Sequence, residues 1–210
     1  MIRFDNLPPE VMQAMCTPMH LILPSSTASS PATHVKHTGS LYLGSFSAIL
    51  DPSLLSSHKI SALVQVLDAP WLPNLDGNPQ YAKVECYQLG ILDSSSDETR
   101  EDLKARLEET VLWIDDRLRR GVNVLVHCQQ GVSRSAAIVI AYLMYAQNMT
   151  YDSAFELVKR KRACVKPNSG FVRCLQEWEK QSRYNHHLHG GHGDTRPSMR
   201  RAKTAPGMMR

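Results

Sequence analysis

VLVHCQQGVSRSAA, residues 124–137, runs an apolar segment into His-Cys, crosses a glycine-containing gap and resumes at Arg-Ser before a second apolar run. Val122, Val124, Leu125 and Val126 read as a short buried strand. From Ser135 onward, Ala136, Ala137, Ile138, Val139, Ile140 and Leu143 read as a helix apolar nearly all round. Between them lies a tight loop holding a cysteine, a glycine and an arginine. A strand passing through such a loop into a helix makes an anion site, because backbone N–H groups at the helix start point inward and the helix dipole favours negative charge.

Working outward, Leu41-Tyr42-Leu43-Gly44 predicts a first strand, 62–67 (ALVQVL) a second and 84–92 (VECYQLGIL) a third, with a short helix within 45–58. Three prolines and a DGN turn make 68–83 a loop. DSSSDET, 93–99, is a helix-starting cluster. Leu103, Leu107, Val111, Ile114 and Leu118 then mark one face of a long amphipathic helix, closed at Arg119-Arg120-Gly121. A strand over 122–127 and helices near 134–147, 151–163 and 169–182 complete the pattern. Strand, long helix, strand, helix is the crossover order of an α/β fold with a mostly parallel central sheet flanked by helices.

At 210 residues and 42 % hydrophobic, the chain can bury one core with tails to spare. Residues 1–34, with PSSTASSPAT at 24–33, read as a flexible lead-in; 35–182 form the single domain; 183–210 read as a disordered, basic His/Gly-rich tail. That tail carries six basic residues against Asp194, so the body is near neutral and no nucleic-acid partner is expected. The longest apolar run ends near Ala146, too short to span a bilayer, and no membrane partner is expected. The N-terminus lacks the pattern of a secretory signal. Five cysteines without a CxxC pair fit a reducing cytosol or nucleus.

The central loop suits phosphate-ester chemistry. Cys128, at the strand end, is placed where loop amides and the helix start favour a thiolate nucleophile. Arg134, six positions on, offers a planar fork to two phosphoryl oxygens, which a lysine cannot. Gly131 frees the backbone to aim its N–H inward. Ser135 can donate a hydrogen bond to the sulfur and ease thiolate departure, and His127 is expected to orient the loop by hydrogen bonding rather than act as a base. The substrate cradle is then Gln129, Gln130, Gly131, Val132, Ser133 and Arg134.

HCQQGVSRSA, with AYLM following, resembles the signature of the dual-specificity branch of the cysteine-dependent protein tyrosine phosphatases, and KPNSGF at 166–171 is similar to the family's downstream element. The resemblance covers about 35–182 and suits a small, atypical member. It implies Cys128 as nucleophile, 129–134 as the phosphate loop, Asn168 as a residue bracing it, and no metal or other cofactor. It also implies phosphorylated proteins, protein kinases among them, as partners. Some relatives have lost the cysteine and only bind phosphorylated partners; this chain keeps Cys128 and Arg134.

A general acid must protonate the leaving oxygen. In open α/β sheets, sites lie beyond the carboxyl ends of strands, which favours Asp93, just past the third strand and similar in placement to the family's acid. Asp97 is the alternative, although it and Asp102 suit a helix N-terminus. Asp51 and Asp76 sit in turns.

Four signals stand apart. NHHLHGGH at 185–192 could bind a divalent metal, but in a Gly-rich tail it reads as disordered. KRKR at 159–162 reads as a solvated helix end. MRRAK near the C-terminus is a short basic cluster of a common kind. Cys86 could trap an oxidised Cys128 if their Cβ atoms approach.

Overall fold

The computed structural model describes residues 7–25, 38–68 and 81–188, with side chains as far as 181. Among these residues five strands, β1 (Met19–Leu23), β2 (Leu41–Ser45), β3 (Ile60–Gln65), β4 (Glu85–Gln88) and β5 (Asn123–Cys128), form one sheet ordered β1-β2-β5-β3-β4. β2, β5, β3 and β4 are parallel, and β1 joins β2 antiparallel at the edge. The helices are α1 (Pro9–Cys16), α2 (Pro52–Ser57), α3 (Asp97–Arg119), α4 (Arg134–Gln147), α5 (Tyr151–Lys161) and α6 (Ser169–Leu188), with a 3-10 turn at Phe46–Leu50.

Alternation along the strands feeds two cores. Leu41, Leu43, Ala62, Val64, Val124, Val126 and Cys128 face the larger one, shared with α3, α4, α5 and α6. Leu63 and Leu125 face a smaller one with Met19, Ala48, Ile49 and Leu55. The five leucine, valine and isoleucine positions read from α3 are all buried, and Ser96 caps that helix by accepting from the Thr99 amide at 3.3 Å. α4 is buried over almost its whole surface, as its composition requires.

Three sequence expectations change. The third strand ends at Gln88: Leu89 N–H still donates to Gln65 O at 2.9 Å, but the Gly90 carbonyl is taken by Arg106 of α3 at 2.7 Å and the chain leaves the sheet. The lead-in over 1–34 is not flexible throughout, for α1 starts on Pro9 at its first turn and β1 buries Met19, Ile22 and Leu23. The Pro/Ser-rich character that suggested flexibility belongs to 24–33, most of which lies outside the described residues, whereas MHLIL at 19–23 is apolar enough to add an edge strand. Finally, α6 continues to Leu188, past the boundary drawn at 183. The histidine run at 185–192, MRRAK and the loop over 69–80 fall outside the residues whose side chains are described.

Candidate active site

β5 is the middle strand, and Cys128 is its last residue, only 2 % exposed. The chain then loops through 129–133 into α4. Every carbonyl of the first four loop residues is bonded outward. Gln129 O accepts from Phe46 N at 3.2 Å, Gln130 O from Arg162 Nη2 at 3.0 Å, Gly131 O from Arg162 Nε at 2.9 Å, and Val132 O from Lys166 N at 2.8 Å. A peptide unit is planar and trans, so an outward carbonyl sends the next N–H inward. The amides of Gln130, Gly131, Val132 and Ser133 therefore converge on the inside of the loop. Gly131 N–H reaches Cys128 Sγ at 3.2 Å, and Ser135 Oγ donates to the same sulfur at 3.1 Å.

Gly131 is required twice over. Its φ of +69° lies in the left-handed region, and an added Cβ would stand 2.6 Å from Gly44 O and 2.8 Å from Arg162 Nη2. Loop and strand β2 are in backbone contact there, which leaves the loop one shape.

The segment after β4 supplies the carboxylate. Asp93 Oδ1 accepts from Ser133 Oγ at 2.7 Å and from Asn168 Nδ2 at 2.8 Å, while Oδ2 lies 3.6 Å from Arg134 Nε. Arg134 Nη1 donates to Ile91 O at 3.4 Å, and its side chain is largely buried. Asn168 is a junction: its amide N–H donates to Ser133 Oγ at 3.1 Å and its Oδ1 accepts from Phe171 N at 2.9 Å, capping α6. Gly170 lets α6 approach this segment, since a Cβ there would stand 2.8 Å from Ser95 Cα. An open cavity of about 620 Å³ lies beside it, lined by Asp93, Ser133, Lys166, Asn168, Val172 and Arg173.

His127 lies inside the fold rather than on the loop surface. Its ring is fully buried with no close side-chain partner for either nitrogen among the described residues, and burial pushes it down to about 4 against a smaller opposing effect of a hydrogen bond with the Cys128 backbone. It is a neutral ring inside the fold, and its contact with the loop is confined to the Cys128 backbone. Asp97 is exposed at the start of α3 and paired with Arg100 at 3.3 Å, so its carboxylate is engaged within α3. Asp51 caps α2 and Asp102 pairs with Arg106.

The catalytic-domain model of the dual specificity phosphatases matches residues 41–181. The chain belongs to the dual specificity phosphatase family. It is 33 % identical over 189 residues to human dual specificity protein phosphatase 1, covering 82 % of this chain and 49 % of that protein. To human dual specificity protein phosphatase 22 it is 35 % identical over 140 residues, 67 % of this chain and 70 % of the relative. The chain thus spans about half the length of the first of these. The crystal structure of human DUSP28 superposes with a TM-score of 0.63 at 27 % identity, covering 80 % of this chain and 96 % of that one. The human tyrosine phosphatase-like serine/threonine/tyrosine-interacting protein superposes at 0.60 with 32 % identity over 68 % and 93 % of the two chains.

For this family member, the structure brings Cys128, the loop 129–133, Arg134, Ser135, Asp93 and Asn168 into one cluster. Cys86 is excluded as a disulfide partner of Cys128. It pairs with Leu63, which pairs with Leu125, and it packs on the opposite face of the sheet. Two strands across and three residues along amount to roughly 14 Å between Cα atoms, against the 7 Å or so that a disulfide tolerates. Arg162 was missed. The sequence predicts a solvated KRKR run, yet Arg162 is 0 % exposed. A signal existed: Ala154 and Val158 are buried on α5, and Arg162 follows at the same four-residue step.

Proposed function

We propose that this chain hydrolyses phosphotyrosine and phosphoserine or phosphothreonine in proteins through a cysteinyl-phosphate intermediate. What carries the reading is Cys128 Sγ at the floor of a loop whose inward amides and Arg134 can take three phosphoryl oxygens, with Asp93 hydrogen-bonded to the rim. In the first step the thiolate attacks phosphorus, the S–P bond forms and the P–O bond to the side chain breaks. Asp93 gives its proton to the departing oxygen. Ser133 and Asn168 both donate to Oδ1, which leaves Oδ2 to carry that proton. Water then attacks phosphorus, Asp93 takes its proton, and Cys128 leaves as thiolate with Ser135 Oγ donating to the sulfur.

A phosphoinositide, a phosphorylated glucan or an RNA 5′-triphosphate would be better met by cations in the loop, whereas Gln129, Gln130, Val132 and Ser133 are uncharged. A phospho-protein-binding role is supported by likeness to a protein named as an interacting one; retention of both Cys128 and Arg134 favours turnover. Phosphorylated proteins, protein kinases among them, are the partners this reading calls for. The absence of a disulfide among the five cysteines, all of them described residues, suits a reducing cytosol or nucleus. The test is turnover by one purified sample of phosphotyrosine and phosphothreonine peptides, a phosphoinositide and a phosphoglucan. Peptide rates well above the other two support the proposal, and phosphate release confined to either of the others overturns it.

A further inference from the structure

We infer that Arg162 is a positioning residue for the phosphate loop, and that the N-terminal unit α1–β1, which lies outside the family match, takes part in holding it through Thr17 and His20. The inference rests on reading 128–134 as a phosphate loop.

Arg162 is a fully buried cation, and no carboxylate pairs with it among the described residues. Burying such a charge is costly unless its donors are satisfied. Two of them go to the loop, Nε to Gly131 O and Nη2 to Gln130 O. Nη1 makes two more, to Thr17 O at 2.9 Å and to His20 Nδ1 at 2.8 Å. Guanidinium only donates, so His20 must accept at Nδ1 and is the neutral tautomer with its proton on Nε2. Burial and the neighbouring Arg162 charge both lower the basicity of His20, which keeps it in that form.

The planar fork thus fixes two consecutive loop carbonyls at one end and the α1–β1 junction at the other. Thr17 ends α1, its N–H donating to Gln13 O at 3.0 Å, so its own carbonyl is free to face Arg162. The next residue, Pro18, accepts from Ser45 N at 2.8 Å at the end of β2, beside the loop. The two carbonyls held by Arg162 belong to the peptide units whose N–H groups are those of Gly131 and Val132, the middle of the cradle. If the guanidinium shifts, these amides are the first to lose their aim. A lysine cannot reproduce the fork, because one ammonium cannot meet four acceptors in a plane.

The test uses the full chain with His20→Ala, His20→Asn, Arg162→Lys and Arg162→Ala. Asparagine places an acceptor oxygen near the position of Nδ1. Three readouts are compared: affinity for inorganic phosphate, kcat and KM toward an aryl phosphate, and thermal stability. Losing a hydrogen bond to a charged group predicts that His20→Ala weakens phosphate affinity and raises KM about tenfold with a smaller change in kcat. His20→Asn should restore both to within about twofold, and Arg162→Lys should weaken phosphate binding by about a hundredfold. Wild-type phosphate affinity in His20→Ala, or a His20→Ala defect that His20→Asn leaves uncorrected, overturns the inference. If the Arg162 variants fail to fold, the His20 pair alone decides. A wild-type protein that binds phosphate but releases none from any ester overturns the enzymatic reading and leaves the comparison of His20 variants decisive. One that binds no phosphate overturns both.

Discussion

Asn168 and Asp93 are joined by a 2.8 Å hydrogen bond from the asparagine amide to Oδ1, and the same asparagine caps α6 through its other side-chain atom. One side chain therefore positions the proposed acid and starts a helix. Asn168→Ala should show both losses: about 1 kcal/mol of stability from the missing cap, a Tm drop of roughly 2–4 °C, and a rate loss of about tenfold on poor leaving groups. Calorimetry and a leaving-group series check the two separately.

Cys128→Ser should remove turnover while retaining binding of a phosphorylated peptide, because the hydroxyl stays protonated near neutral pH and the inward amides remain. Arg134→Lys should lower kcat/KM by about 10²–10³, the effect of losing an oriented oxyanion donor. Steady-state rates and peptide binding by calorimetry measure these. Equal turnover by wild type and Cys128→Ser would rule the thiolate out.

Asp93→Ala should depend on the leaving group. Tyrosine departs as a phenolate with a pKa of about 10, and an alkoxide from serine or threonine is more basic still, whereas a nitrophenolate leaves almost unaided. The loss should be greatest for phosphothreonine peptides, about 10²–10⁴, large for phosphotyrosine and least for activated aryl phosphates. The fall in rate on the alkaline side of the pH profile should flatten. Asp97→Ala should give a small loss shared by all substrates, since Asp97 is exposed and paired with Arg100. If the two variants exchange these patterns, Asp97 is the acid.

Stability should fall as the solution is acidified below pH 6.5. His127 is held down to about 4 in the fold by burial, so the unfolded chain takes up the proton first and gains as the pH drops from 6.5 toward 4. The shift corresponds to roughly 3 kcal/mol over that window, and His20, also lowered, acts in the same direction. Urea midpoints at pH 7.5, 6 and 5 check this: the decline should be shallower in His127→Asn. Parallel declines in the two proteins would mean that other groups set the acid limit.

The strand, loop and helix at 123–147 were legible because every determinant is local: strand periodicity, glycine in the gap, then an apolar helix. A rule about strand ends points to Asp93, yet the strand stops at Gln88 and what brings the carboxylate to the loop is its contact with Ser133 and Asn168. Arg162 and β1 were not legible. Arg162 meets Thr17 across 145 positions, and a run of four basic residues looks solvated until the burial of one helix face is known. The role of Ser133 was equally hidden. Its hydroxyl bonds Asp93 from 40 positions away, and nothing in QQGVSR distinguishes a proposed cradle residue from one that also holds a distant carboxylate. The burial of His127 was hidden too, because a histidine beside a cysteine suggests polar work while its position in a central strand turns the ring into the interior.

β5 has a parallel neighbour on each side and delivers its last residue directly to the loop. Middle strands with buried helices behind them open only with global unfolding, while edges fray at little cost. Backbone amides at 124–128 and in the first turns of α4 should then exchange with solvent deuterium last, and those of β4 among the earliest in the sheet. The loop proposed to meet the phosphoryl group would then hang from the slowest-opening part of the molecule, and the carboxylate beside it from a chain leaving the edge.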